Sequence, residues 1–127
     1  MYDQYWTKFH SEEHGGFDIV ASWNYEDCSI SQCFDDSCHD IADLQRKVND
    51  GTYYWFILRV QVFLNGAELG CDYLGGCMYE NVEDVLTDGT YEDIRYQAIK
   101  EANDWLTTAF KERKLIEYTV NKLAEGA

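Results

Sequence analysis

Proline is absent from the 127 residues, so the residue that most sharply ends helices marks no boundary in this chain. Basic residues are scarce: ten lysines and arginines stand against 24 aspartates and glutamates, a formal charge of -14. That balance argues against direct binding of nucleic acid or of an anionic membrane, since both need a basic footprint. No run approaches the roughly 18 apolar residues of a membrane span. Met1 to His10 lack the basic-then-apolar layout of a secretion signal, and the cytoplasm is the expected setting. The five cysteines, an odd number, then read as free thiols in a reducing compartment rather than as a disulfide framework.

What is present is apolar material: 46% of residues are hydrophobic and 16% aromatic. Disordered acidic tails are poor in aromatics, so the length and composition predict one folded domain over residues 1–127. Residues 1–16, ending in Gly15–Gly16, read as an N-terminal arm. From Phe17 to Asn24 apolar and polar residues alternate, the period of a strand. Ser37 with Asp40 resembles a helix start, and Ile41, Leu44 and Val48 form one stripe before Asn49–Asp50–Gly51.

A hairpin over residues 53–74 is the clearest element, because Asn65–Gly66 is a strong two-residue turn signal. Closing that turn pairs Leu64 with Ala67, Val62 with Leu69, Val60 with Cys71 and Leu58 with Tyr73, and sets Arg59 opposite Asp72. Gly75–Gly76 ends it. Asn81 to Leu86 reads as a short helical turn. Asp88–Gly89–Thr90 opens the longest helix, with Thr90 as its expected cap. Its stripe is Ile94, Ala98, Ala102, Trp105 and Ala109, widened by Ile99, Leu106 and Phe110. Near Lys114 it either continues or breaks into a second helix through Leu123. The order β-α-β-β-α predicts an α+β fold: a small, mainly antiparallel sheet covered on one face by helices.

The charge is unevenly placed. Residues 1–45 carry ten acids and one base, residues 46–94 nine and three, and residues 95–127 five and six. The acids cluster as adjacent pairs, Glu12–Glu13, Glu26–Asp27, Asp35–Asp36, Glu83–Asp84 and Glu92–Asp93. Such pairs repel and weaken a compact state, and solubility needs less imbalance than this. An acid-rich, aromatic-rich surface suits a basic nucleic-acid channel on another protein, with carboxylates standing in for phosphates.

Other chemistries find weaker footing. Cys28, Cys33, Cys38 and His39 carry zinc-ligand chemistry, but their four-residue intervals do not match the common knuckles. A Cys33 or Cys38 nucleophile served by His10, His14 or His39 would sit in an acidic loop that raises a thiol pKa. No phosphate-binding or dinucleotide motif occurs. The expectation is no enzyme, no cofactor and no metal.

The runs Trp55-Phe56-Ile57-Leu58-Arg59-Val60, Asn65-Gly66-Ala67-Glu68-Leu69-Gly70, Tyr73-Leu74-Gly75-Gly76-Cys77-Met78-Tyr79-Glu80 and Val85-Leu86-Thr87-Asp88-Gly89-Thr90 resemble a family of small acidic proteins of phages and mobile elements. The resemblance spans about residues 40–105. It implies the company of anti-CRISPR and anti-restriction proteins, inhibitors of bacterial immunity, and brings no catalytic residue. The combined expectation is a stoichiometric inhibitor in the host cytoplasm, bound to a basic nucleic-acid-handling complex such as a CRISPR effector. Its candidate contact residues are Glu26, Asp27, Asp35, Asp36, Asp40 and Asp43 as one patch and Glu83, Asp84, Glu92 and Asp93 as a second. Trp55 and Phe63 are candidate anchors on an outward hairpin face. The alternatives are a zinc-stabilised binding module on the Cys28 loop, or an enzyme that modifies a defence component.

Overall fold

Asn65 and Gly66 both adopt positive φ, 51° and 84°, the type I′ turn whose twist matches that of the strands it joins. Around this hairpin a computed structural model, describing residues 5–125, places four antiparallel strands in the order β1-β2-β3-β4. They are β1 (Thr7–His14), β2 (Phe17–Tyr25), β3 (Tyr54–Leu64) and β4 (Ala67–Tyr79). Two short helices, α1 (Ile30–Cys33) and α2 (Ile41–Asn49), fill the excursion between β2 and β3. A 3₁₀ turn (Val82–Leu86) leads into α3 (Thr90–Glu125), which crosses one face of the sheet. The α+β class holds. No helix among the described residues is long and apolar enough to cross a membrane.

Several elements differ from expectation. The arm reading fails over residues 7–14, which form the edge strand β1; residues 1–4 lie outside the described residues. β1 escapes a hydrophobic-pattern reading because its residues are half-buried or exposed. α2 starts after Asp40, whose carboxylate accepts the Asp43 amide at 3.1 Å, so Asp40 rather than Ser37 is the cap. At α3 the Asp88 side chain accepts the free Thr90 amide at 2.9 Å and the Gly89 carbonyl accepts the Asp93 amide at 3.1 Å, so Thr90 is the first helical residue rather than the cap.

β4 also runs past Gly75–Gly76 to Tyr79, and it carries two bulges. At the first, Phe63 faces Glu68 while Val62 faces Gly70, so Leu69 is the extra residue. From there to the second bulge the pairing is shifted by one from the expected register: Cys71 opposes Gln61, Asp72 opposes Val60 and Arg59 opposes Tyr73. A one-residue shift exchanges faces. Cys71 therefore leaves the core side, and Gly70 takes its place under the helix.

The reason for the shift lies in α3. Ala98 and Ala102 are fully buried, and a Cβ on Gly70 would come within 2.1 Å of the Ala98 carbonyl oxygen and 3.0 Å of the Ala102 amide. Three small side chains let helix and strand backbones approach closely. The core spreads from this crossing through Ile19, Ala21, Phe56, Leu58, Val60 and Val62 to Val85.

Leu106 is the last residue of α3 packed on that core. Trp105 and Phe110, expected on the buried stripe, are 54% and 60% exposed. The helix outlasts its sheet, and every residue from 110 to 125 is exposed.

Candidate functional site

The first acidic patch belongs to the excursion between β2 and β3, and much of its charge has local work. Glu26 accepts the Gly76 amide on Oε2 and the Cys28 amide on Oε1, both at 3.0 Å. It ties the start of the excursion to the second bulge of β4. Asp35 accepts the Ser37 amide at 2.9 Å, and the backbone and side-chain hydrogen bonds of Ser37 hold its carboxyl below the usual value. Asp43 pairs with Arg46 at 2.5 Å and Lys47 at 3.0 Å. Hydrogen bonds first from Arg46 and then from Lys47 lower its pKa. Asp27, Asp36 and Asp40 are exposed. Two cations on α2 thus offset a patch that reads as purely acidic in the linear sequence.

The second patch is the opposite case. Glu83 and Asp84 stand on the 3₁₀ turn, and Glu92 and Asp93 occupy the first turn of α3. The two elements pack together, and Glu80 precedes them. All five carboxylates are exposed, and none has an ion-pair partner among the described residues. Residues 80–93 contain no lysine or arginine. Glu92 and Asp93 also complement the positive end of the helix dipole, an effect of about 0.3–1 kcal/mol each when exposed.

Beside this patch runs a surface groove lined by His10, Glu12, Leu86, Tyr91, Glu92, Asp93, Arg95 and Tyr96. Glu12 accepts from Arg95 Nε at 2.6 Å and lies 3.1 Å from His10 Nε2, clamping β1 to α3. Burial works to raise the Glu12 carboxyl, but the hydrogen bonds of His10 and Arg95 and the Arg95 charge outweigh it and hold it low. Tyr91 is buried, packs edge-on against His10 with ring centroids 5.2 Å apart, and its hydroxyl has no well-formed hydrogen bond. Burial first, and the nearby Glu12 charge second, push that hydroxyl well up. Sequence reasoning missed this cluster because Glu12 and Arg95 are 83 residues apart. The alternation of His10 and Glu12 along a strand was the available signal.

The two candidate anchors part company. Trp55 is 7% exposed, not outward. Its indole N–H donates to the Cys28 carbonyl at 2.8 Å, and its ring meets Phe34 at 5.8 Å. The excursion packs over Trp55 at one end of the sheet face that α3 leaves open, so Trp55 is a packing residue. Phe63 is half-buried, eight positions further along β3, roughly 26 Å away. Elsewhere on this face Trp6 stacks over the Arg59 guanidinium at 4.3 Å and contacts Tyr73.

The four candidate zinc ligands do not converge: among the described residues no group of three His, Cys, Asp or Glu side chains is arranged for a metal. Cys28 and Cys33 lie 3.5 Å apart, Sγ to Sγ, while His39 packs edge-on against Phe34. His10 engages Glu12 rather than a thiol. Burial pushes the Cys71 and Cys77 thiols up to about 11 from 9.0. At pH 8 their thiolate fraction is then about a hundredfold below that of an ordinary thiol. Iodoacetamide is expected to label exposed Cys38 first and Cys71 and Cys77 last, read by peptide mass spectrometry over time. Equal rates at all five would mean that β4 opens readily.

No protein-family model, curated protein or solved structure matches the chain.

Proposed function

We propose that this protein is a stoichiometric, anti-CRISPR-like inhibitor of a host nucleic-acid-binding immune complex, acting in the host cytoplasm. It would seat an acidic surface in that complex's basic DNA- or RNA-binding site. The observation that carries the reading is the second patch: four exposed carboxylates on two ordered, mutually packed elements, with Glu80 just before them and none ion-paired among the described residues. Duplex DNA presents one charge per roughly 1.7 Å of its axis, so a protein substitute needs acids that are dense and held in place. Carboxylates already fixed on a helix and a 3₁₀ turn lose little freedom on binding. The first patch, partly neutralised by Arg46 and Lys47, is the weaker surface.

The test is capture of targets from host lysate on the tagged protein, with elution by rising salt. One basic complex, displaced by its own DNA or guide RNA, is the expected result. The E83K/D84K/E92K/D93K variant should lower capture by at least about tenfold, and D35K/D36K by less. Capture that survives the fourfold reversal removes the patch from the mechanism, and a target that nucleic acid cannot displace removes mimicry.

The groove supports a second reading, an enzyme acting on a defence component. A histidine beside a carboxylate, with a tyrosine and an arginine alongside, is a set able to move protons. Stoichiometry separates the two: an enzyme inactivates many targets per copy, whereas a mimic needs about one copy each.

A further inference from the structure

Beyond Leu106 the helix α3 runs on for roughly 28 Å, and none of its described residues there packs on the core. An isolated segment of that length is marginal in water, and this one is not polar. Ile116, Val120 and Leu123 are 63%, 57% and 71% exposed. With Leu106, Ala109 and Arg113 they recur at alternating steps of three and four, the a/d repeat of a helix–helix seam. The repeat extends backward through Ile99 and Ala102, which pack on the sheet. One stripe therefore serves the sheet first and then continues without a partner. Phe110 and Tyr118 lie off the stripe, each near a lysine ammonium, Lys114 at 5.4 Å and Lys122 at 5.6 Å from the ring centroid.

We propose that this stripe is the interface of a homodimer in which the distal halves of two α3 helices pair antiparallel. A 3.5-residue repeat asks for a helix as occupant, and charge selects a second copy in this orientation. Residues 1–94 carry 19 acids and four bases, whereas residues 95–127 carry five and six. The distal helix is a surface on which two such acidic chains meet without concentrated repulsion. Antiparallel pairing also sends the two acidic bodies to opposite ends.

The register follows from the repeat. Setting Leu106 against the partner's Leu123 places Ala109 against the partner's Val120 and Arg113 against the partner's Ile116. Ala109 then faces the larger Val120, and the layers on either side set long side chains against each other. Flanking positions in this register bring Glu112 beside the partner's Thr119 and Phe110 beside the partner's Glu117. A parallel pair would instead set Glu112 against the partner's Glu117, a like-charge contact. Half the surface of two such helices is about 1,000 Å², the low end for a specific interface, so the dimer should be concentration-dependent. This inference does not rest on the proposed function.

Sedimentation equilibrium of the full chain is the test. A dimer at about 100 µM that dissociates toward about 1 µM is expected; a monomer at 100 µM, or a trimer or larger, overturns the proposal. The I116E/V120E/L123E variant changes only residues exposed in the monomer, so near-UV dichroism of the sheet should be kept while self-association weakens at least about a hundredfold. Unchanged association moves the interface elsewhere and overturns it too. A benzophenone residue in place of Leu123 should cross-link to the partner's peptide around position 106; cross-links to the partner's position 123 would mean a parallel pair and refute the orientation.

Discussion

Gly70→Ala is expected to destabilise the protein by about 3 kcal/mol, lowering Tm by roughly 10 °C. The added methyl would sit 2.1 Å from the Ala98 carbonyl oxygen, a rigid backbone atom in the middle of a helix. Relief requires α3 to lift from β4 as a unit, which loosens Ala98 and Ala102 at the same stroke. Gly75 on the same strand provides the contrast. A methyl there meets the Glu26 carboxylate at 2.8 Å, the end of a flexible side chain, and Gly75→Ala should cost about 1 kcal/mol or less. Urea titration of the pair checks the argument. Equal losses would mean that strand geometry, not the helix crossing, governs Gly70.

That crossing also marks where the sequence stops being legible. The type I′ turn, the buried alternation of Phe17, Ile19 and Ala21, and the opening of the long helix near Thr90 follow from local pattern, whereas its continuity past Lys114 does not. The bulge at Leu69 does not, because its cause is the distant pair Ala98 and Ala102. A two-residue turn extended in ideal register puts Cys71 inward, and only the need for a glycine under the helix overrides it. β1 escaped notice for a related reason. Its partners are β2 on one side and, through Glu12 and Arg95, the start of α3, so its own residues never needed to be apolar. The acidic site divides similarly. Charge counting found both patches, but the neutralisation of Asp43 and the structural engagement of Glu26 depend on hydrogen bonds that composition does not encode. Glu83, Asp84, Glu92 and Asp93 were legible because residues 80–93 hold no lysine or arginine and none of the four is ion-paired among the described residues.

Trp55 turns the same distinction into an experiment. An exposed anchor can be truncated with little change in stability and a large loss of binding. A buried tryptophan that holds a loop behaves the other way. Trp55→Ala removes the ring that Phe34 packs on and the donor to the Cys28 carbonyl, and it leaves a cavity under the excursion. The expected loss is about 3–5 kcal/mol, a large share of the 5–15 kcal/mol that a domain typically holds. Trp55→Phe keeps most of the packing and gives up the hydrogen bond, for a smaller loss of about 1–3 kcal/mol from the unpaired carbonyl and lost volume. Because Glu26 and Trp55 both hold Cys28, one by its amide and the other by its carbonyl, Trp55→Ala should also speed alkylation of Cys28, which is half-buried in the native protein. Thermal melts and thiol labelling of both variants read the two effects separately. A Trp55→Ala protein with native stability and native Cys28 protection would return Trp55 to the surface, and with it the reading of the outward hairpin face as a contact site.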